Sequence, residues 1–195
     1  MTRMSLVHRE HASGHSRELL DRIHAAFGAT PNMFRAVAHS PAALQSMWAA
    51  FGALGGGSLP SALGERIAVA VAERNRCHYC LAAHTALGRK AGVSQAELHE
   101  AQNGRSADPR IQAALTFALQ LVEQRGHVDA AAVQAVRQAG YSDEAIVEIL
   151  AHVALNLFTN YVNVAFDVPV DFPPVALRGS GPGAPAGVTS GALAA

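Results

Sequence analysis

Alanine-rich stretches, cut at short intervals by proline starts and glycine stops, confine this chain to short α-helices. Alanine has the highest intrinsic helix propensity, and the β-branched runs that mark strands are short throughout. Ser16 to Phe27 places Leu19, Leu20, Ile23 and Phe27 at helical spacing. Thr30-Pro31 reads as a cap and first-turn proline opening a short helix through Ala38. Ser40-Pro41 repeats the signal for a helix through Leu54, stopped by Gly55-Gly56-Gly57. Pro60 and Ser61 open the next, with Leu63, Ile67, Ala70 and Val71 as its buried stripe, and Asn75 and Arg76 interrupt it. A further helix runs from around Cys77 to Ala91, and Ser94 with Glu97 forms a capping box for a short one. Asp108-Pro109 starts a helix that Gly126 stops, and Val128 to Gln138 follows. Ser142 caps a long helix with Ile146, Ile149, Leu150, Val153, Leu157 and Tyr161 predicted inward. The expectation is an all-α, compact domain of about eight helices.

At 195 residues the chain has room for one domain and a tail. The boundaries expected are an N-terminal arm over 1–15, a helical domain over 16–172, and a flexible Pro/Gly/Ala-rich tail over 173–195. Fifteen basic residues balance fifteen acidic ones, which argues against a nucleic-acid partner held by a positive field. A chain that is 50% hydrophobic with no net charge is expected to bury apolar surface by self-association. The first ten residues lack the apolar core of a secretory signal. Long apolar runs are broken: Ile67 to Ala72 stops at Glu73, and Ala145 to Phe158 contains Glu148, His152 and Asn156. No membrane-spanning helix and no membrane partner are expected. Two cysteines are too few for a disulfide-stapled secreted scaffold, so the expected setting is cytoplasmic, with reduced thiols.

Those two cysteines carry the chemistry. They stand in Cys77-His78-Tyr79-Cys80-Leu81-Ala82-Ala83-His84, a C-x-x-C with a histidine four residues on. On a helix, Cys80 and His84 lie on one face and can meet, and Cys77 is within one turn of Cys80. A thiolate at a helix N-terminus faces the positive end of the helix dipole, and a histidine can accept its proton. Both lower a cysteine pKa from about 8.5 towards about 3.5–7.5. Cys80, which has the histidine, is assigned the attacking role, and Cys77 that of the resolving thiol, which condenses with a sulfenic acid. Two other readings compete: a zinc site lacking an obvious fourth ligand, and two inert thiols packed in a helix.

The segment resembles the core motif of the alkylhydroperoxidase D-like proteins of the carboxymuconolactone decarboxylase superfamily, a glutamate followed about a dozen residues later by C-x-x-C-x-x-x-H. Glu65 stands twelve residues before Cys77. Leu59-Pro60, Gly64-Glu65-Arg66 and Asn75-Arg76-Cys77 look like the same family, and Asn160-Tyr161-Val162-Asn163 with Asp167 and Pro169 resembles the end of its peroxidase-related branch. The resemblance implies an all-helical fold assembled as trimers or hexamers. It implies a thiol peroxidase that reduces organic hydroperoxides and is re-reduced by an external dithiol, with no cofactor and no metal. Carried over residue by residue, Cys80 attacks, Cys77 resolves, His84 is the base and Glu65 orients it in a proton relay. One position departs: Tyr79 stands where well-characterised relatives have histidine, and a phenol of ordinary pKa about 10 does not shuttle protons readily near neutrality. Decarboxylases of the superfamily generally lack the paired cysteines. A general dithiol-disulfide oxidoreductase and a redox-sensing or metal-binding oligomer are the alternatives.

The remaining polar residues read as bland. Glu73 is expected to be a solvated helix-end charge beside Arg74 and Arg76. His78 is expected at the rim of the site and is, like Tyr79, a secondary candidate. His152 is expected to be a satisfied core histidine, and Asn156, Asn160 and Asn163, which share a helix face, to be structural. Trp48, Phe51, Met33 and Met47 are read as packing. His8, His11, His15, His24 and His39 are read as solvated.

Overall fold

The computed structural model describes residues 2–178. Among these lie nine α-helices: α1 (Gly14–Phe27), α2 (Asn32–Val37), α3 (Pro41–Gly55), α4 (Ser61–Arg74), α5 (His78–Lys90), α6 (Gln95–Gln102), α7 (Pro109–Glu123), α8 (Ala130–Gln138) and α9 (Asp143–Phe166), with a 3-10 turn at Arg9–His11. No strand occurs among the described residues, and the fold is all-α.

Side-chain caps set most of the starts. Ser40 Oγ accepts the Ala43 amide, Asp108 those of Arg110 and Ile111, Asp129 that of Ala132, and Ser142 that of Ala145. Both halves of the Ser94–Glu97 capping box form. Each such cap is worth about 1 kcal/mol, because it satisfies an amide that no helical carbonyl can reach. Pro31 and Pro60 sit one position earlier than a first-turn proline, as the residues preceding the first helical one.

The middle of the molecule is α4. Leu63, Gly64 and every residue from Arg66 to Ala72 are buried, so this helix is covered nearly all round. It packs against α5, α6, α7 and α9. Its alanines and Gly64 are small enough for neighbours to approach on several sides. After Arg74 the chain reverses through Asn75 and Arg76, and Arg76 takes a left-handed conformation with φ 53°. The reversal is tied to α9 by Asn75 Nδ2, which donates to Asn160 Oδ1 at 2.9 Å. It delivers Cys77 to the start of α5.

Helix α9 is apolar enough and, at 24 residues, long enough to cross a membrane by length and composition alone. Here it is a core helix, packed against α2, α3, α4, α5, α7 and α8. The inward face expected for it needs correction: Leu150 is 49% and Tyr161 61% exposed. With Val147, Phe158 and Val164 they form an outward apolar stripe. A helix this apolar on all sides gives no clear period from which to separate the face towards its own core from the face towards solvent.

Both ends of the described segment are strapped to the helices. Arg3 N donates to the Phe166 carbonyl and Val7 N to that of Arg35. At the other end the packed domain extends past the expected boundary at 172. Leu177 is buried, Gln102 Nε2 donates to the Ala176 carbonyl, and Arg178 N donates to Glu73 Oε1. Glu73 also accepts from Gln102 Nε2 at 2.6 Å, so it is a fastening for this segment rather than a solvated charge. The tail expected over 179–195 lies outside the described residues.

Candidate redox site

Cys77 occupies the N-cap of α5, and its sulfur accepts the Cys80 amide at 3.2 Å. Sulfur here takes the place of the usual Ser or Asp oxygen. The cap conformation brings the Cα atoms of Cys77 and Cys80 to 5.3 Å, and the two are disulfide-bonded. Both are almost fully buried, at the positive end of the helix dipole.

His84 lies one turn after Cys80. Its Nδ1 stands 2.8 Å from Glu65 Oε2, with the two side chains 12% and 22% exposed. The carboxylate fixes Nδ1 as the donor, which leaves Nε2 as the basic nitrogen. Glu65 comes from the buried helix α4, so the pair is held by the tight α4–α5 packing rather than by loops. The structure thus brings Glu65 to His84 and Cys77 to Cys80, and Cys80 and His84 line one pocket.

A fifth residue was read as structural. Asn163, 4% exposed on α9, donates Nδ2–H to Cys80 Sγ at 3.2 Å. The only signal for it was an amide recurring on one face of an apolar helix.

Two cavities open on different sides of the disulfide. Cys80 and His84 line a narrow apolar pocket of about 40 Å³, walled by Phe34, Phe51 and Phe172. Cys77 lines a wide cavity of about 580 Å³, with Arg3, His78 and Asp167 among its lining residues. His78 is exposed there, at the rim, as expected. Tyr79 borders both cavities. It is buried, its hydroxyl accepts the Met33 amide at 3.2 Å, and Phe172 packs edge-on to its ring at 5.7 Å. Burial, with help from Asp171, pushes the Tyr79 phenol well above its usual range. A third chamber, of about 160 Å³, lies on the far side of His84, bounded by Glu65, His152 and Asn156. His152 therefore faces the relay instead of being a satisfied core histidine. Among the described residues no three His, Cys, Asp or Glu side chains are grouped to hold a metal ion.

The carboxymuconolactone decarboxylase family matches residues 41–124, a span that includes Glu65, Cys77, Cys80 and His84. Solved structures with the same fold cover nearly all of the chain. One, the alkylhydroperoxidase AhpD core of an uncharacterized peroxidase-related protein from Ralstonia eutropha JMP134, is 25% identical with a TM-score of 0.79, covering 87% of this chain and 92% of its own. A peroxidase-related protein from Silicibacter sp. TM1040 is 24% identical with a TM-score of 0.74, covering 91% and 94%. The debrominase Bmp8, solved with 2,3,4-tribromopyrrole, shares the fold at 21% identity and a TM-score of 0.75, covering 88% and 92%. No curated protein matches the sequence.

Proposed function

The chain belongs to the carboxymuconolactone decarboxylase superfamily, among its alkylhydroperoxidase D-like members, and from that membership we propose that it is a thiol peroxidase that reduces organic hydroperoxides. The observation that carries the reading is the setting of Cys80. Its sulfur sits between a donor amide from Asn163 and an apolar pocket that it shares with His84, whose other nitrogen is held by Glu65.

In the dithiol state His84 Nε2 takes the Cys80 proton, and Glu65 stabilises the imidazolium. The thiolate attacks the outer oxygen of the hydroperoxide. The O–O bond breaks, and the proton on His84 goes to the departing alkoxide, giving the alcohol and a Cys80 sulfenic acid. Cys77 then attacks that sulfur, its thiol proton leaves with the hydroxyl as water, and the Cys77–Cys80 disulfide forms. An external dithiol reverses the oxidation by exchange. The apolar pocket suits the organic part of a hydroperoxide. The wide cavity on the Cys77 side suits a bulkier dithiol, and attack there expels Cys80, the better-stabilised thiolate and hence the better leaving group. General dithiol exchange with no peroxide preference is the second reading, favoured by the width of that same cavity.

The outward stripe of α9 supports self-association, a trimer or hexamer in this reading, and a cytoplasmic setting goes with a Cys77–Cys80 pair that cycles between disulfide and dithiol. Sedimentation should give a mass several times that of one chain, and Tyr161→Glu should lower it. The test of function is a thiol count on reduced protein mixed with stoichiometric organic hydroperoxide. Loss of two thiols within seconds, abolished by Cys80→Ser, supports peroxidase chemistry. Survival of both thiols overturns it and leaves dithiol exchange.

A further inference from the structure

The chamber beyond His84 is polar where it meets the relay. His152 and Asn156 stand one turn apart on α9 at its wall, with Glu65, His84 and Ser61 around them. His152 Nε2 and Asn156 Oδ1 are both shut off from bulk solvent, and neither has a protein partner. Asn156 is 5% exposed, and its amide is oriented because Nδ2 donates to the His152 carbonyl at 2.8 Å. That leaves Oδ1 as an acceptor. Gly64 shows how near the imidazole comes to the relay's own helix: a Cβ at this position would stand 3.2 Å from His152 Cε1. The glycine next to Glu65 is what leaves the ring its place.

Cavities hold water where there is about 10–15 Å³ of probe-sized space and two to four polar groups line it. The chamber has about 160 Å³ and includes Ser61, Glu65, His84 and His152 in its lining, so it has both the room and the polar side chains. The charged and titratable groups that act on His152 are Glu148 one turn before it, Glu65 on α4 and His84 on α5, whereas α3 brings only Phe51, Leu54 and Gly55 to the chamber. Burial outweighs the two carboxylates and lowers the His152 pKa from 6.5. The ring is therefore neutral near pH 7, with one nitrogen to donate and one to accept. The pocket on the other side of His84 offers no substitute, since the Tyr79 hydroxyl there is engaged by the Met33 amide.

We propose that His152 is a positioning residue for the relay: through water in this chamber it hydrogen-bonds the Glu65 carboxylate and keeps it ionised and turned to His84. The inference rests on the relay reading above. It assigns the support of Glu65 to a residue more than eighty positions away, on a different helix.

The experiment compares the reduced full-length protein with its His152→Leu and His152→Gln variants. Alkylation of Cys80 by iodoacetamide, in a Cys77→Ser background, and oxidation of the dithiol by tert-butyl hydroperoxide are each followed from about pH 5 to about pH 10. His152→Leu should move the alkylation profile up by about one pH unit and slow both reactions about tenfold near neutrality, the order expected for a lost water-mediated bond to a charged group. The rates should converge with wild type at high pH, where Cys80 is fully ionised. His152→Gln, which retains a donor, should recover most of the loss. An unmoved profile for His152→Leu overturns the proposal, and so does an equal loss in both variants at every pH. If the wild-type thiol alkylates normally but ignores hydroperoxide, the peroxidase reading falls, and the alkylation profiles alone still decide the role of His152.

Discussion

Replacing Asn163 by leucine removes one N–H from the Cys80 sulfur and puts nothing polar in its place. The bond is 3.2 Å long to the sulfur of a residue that is 2% exposed. When Cys80 becomes a thiolate the bond becomes charge-assisted, and hydrogen bonds to charged groups are worth about 1.5–3 kcal/mol. At 1.36 kcal/mol per pKa unit this corresponds to a rise of about one to two units in the Cys80 pKa. Below that pKa the reactive fraction, and with it the rate, falls about tenfold to a hundredfold. Stability should behave differently. Asn163 Oδ1 is buried with no protein partner, so leucine also removes an unsatisfied acceptor and leaves no other group stranded. The assay is stopped-flow oxidation of the dithiol by an organic hydroperoxide across pH, alongside thermal unfolding of the oxidised protein. The leucine variant should show a profile displaced to higher pH that meets the wild-type curve at the alkaline end, with little change in Tm. Asn163→Asp should be slower still, because a carboxylate beside the sulfur opposes its ionisation. A wild-type profile for Asn163→Leu, or a loss equal at every pH accompanied by a lower Tm, would refute the reasoning.

Glu65→Gln keeps an acceptor for His84 Nδ1 but cannot balance the imidazolium, so hydroperoxide turnover should fall about a hundredfold with circular dichroism unchanged. Tyr79→Phe strands the Met33 amide and should cost about 1–3 kcal/mol in urea unfolding, while the pH profile of thiol oxidation stays that of wild type because this phenol keeps its proton and relays none. Ser94→Ala removes the cap of α6 and should cost about 1 kcal/mol at neutral pH. The Ser94 hydroxyl and amide, then Arg66, hold the Glu97 carboxyl down at about 2 against a usual 4.5. The carboxylate's contribution is therefore complete above about pH 4.5 and is lost as pH falls through about 2, so the gap between Ser94→Ala and wild type should narrow in strong acid to the part owed to the bond from the Glu97 amide.

What could be read from the sequence follows the range of each interaction. Caps such as Ser40, Asp108 and Ser142 act on amides within three residues, so their local pattern is sufficient to place the helix starts. The grouping of Cys77, Cys80 and His84 is likewise set by one helix turn. The link to Glu65 needed a family resemblance, because it depends on how α4 and α5 dock. Asn163, His152 and Glu73 were misjudged because their partners lie far along the chain: Cys80 for Asn163, the chamber beside Gly64 for His152, and Gln102 with Arg178 for Glu73. Leu150 and Tyr161 misled for a different reason. Apolar periodicity marks a surface to be covered without saying whether the same chain or another one covers it.

The α4–α5 hairpin assembles from neighbouring segments, but the amide that donates to Cys80 arrives 83 residues later, on α9. During synthesis the dithiol leaves the ribosome well before α9 exists. Domains assemble as their segments emerge, and long-range contacts form late. Until α9 docks, Cys80 lacks the Asn163 donor, and the wall that His152 and Asn156 contribute behind Glu65 is missing. The nascent chain thus carries a Cys80 that has its own helix N-terminus but not the Asn163 donor, and that donor's share of its nucleophilicity arrives only with completion of the fold.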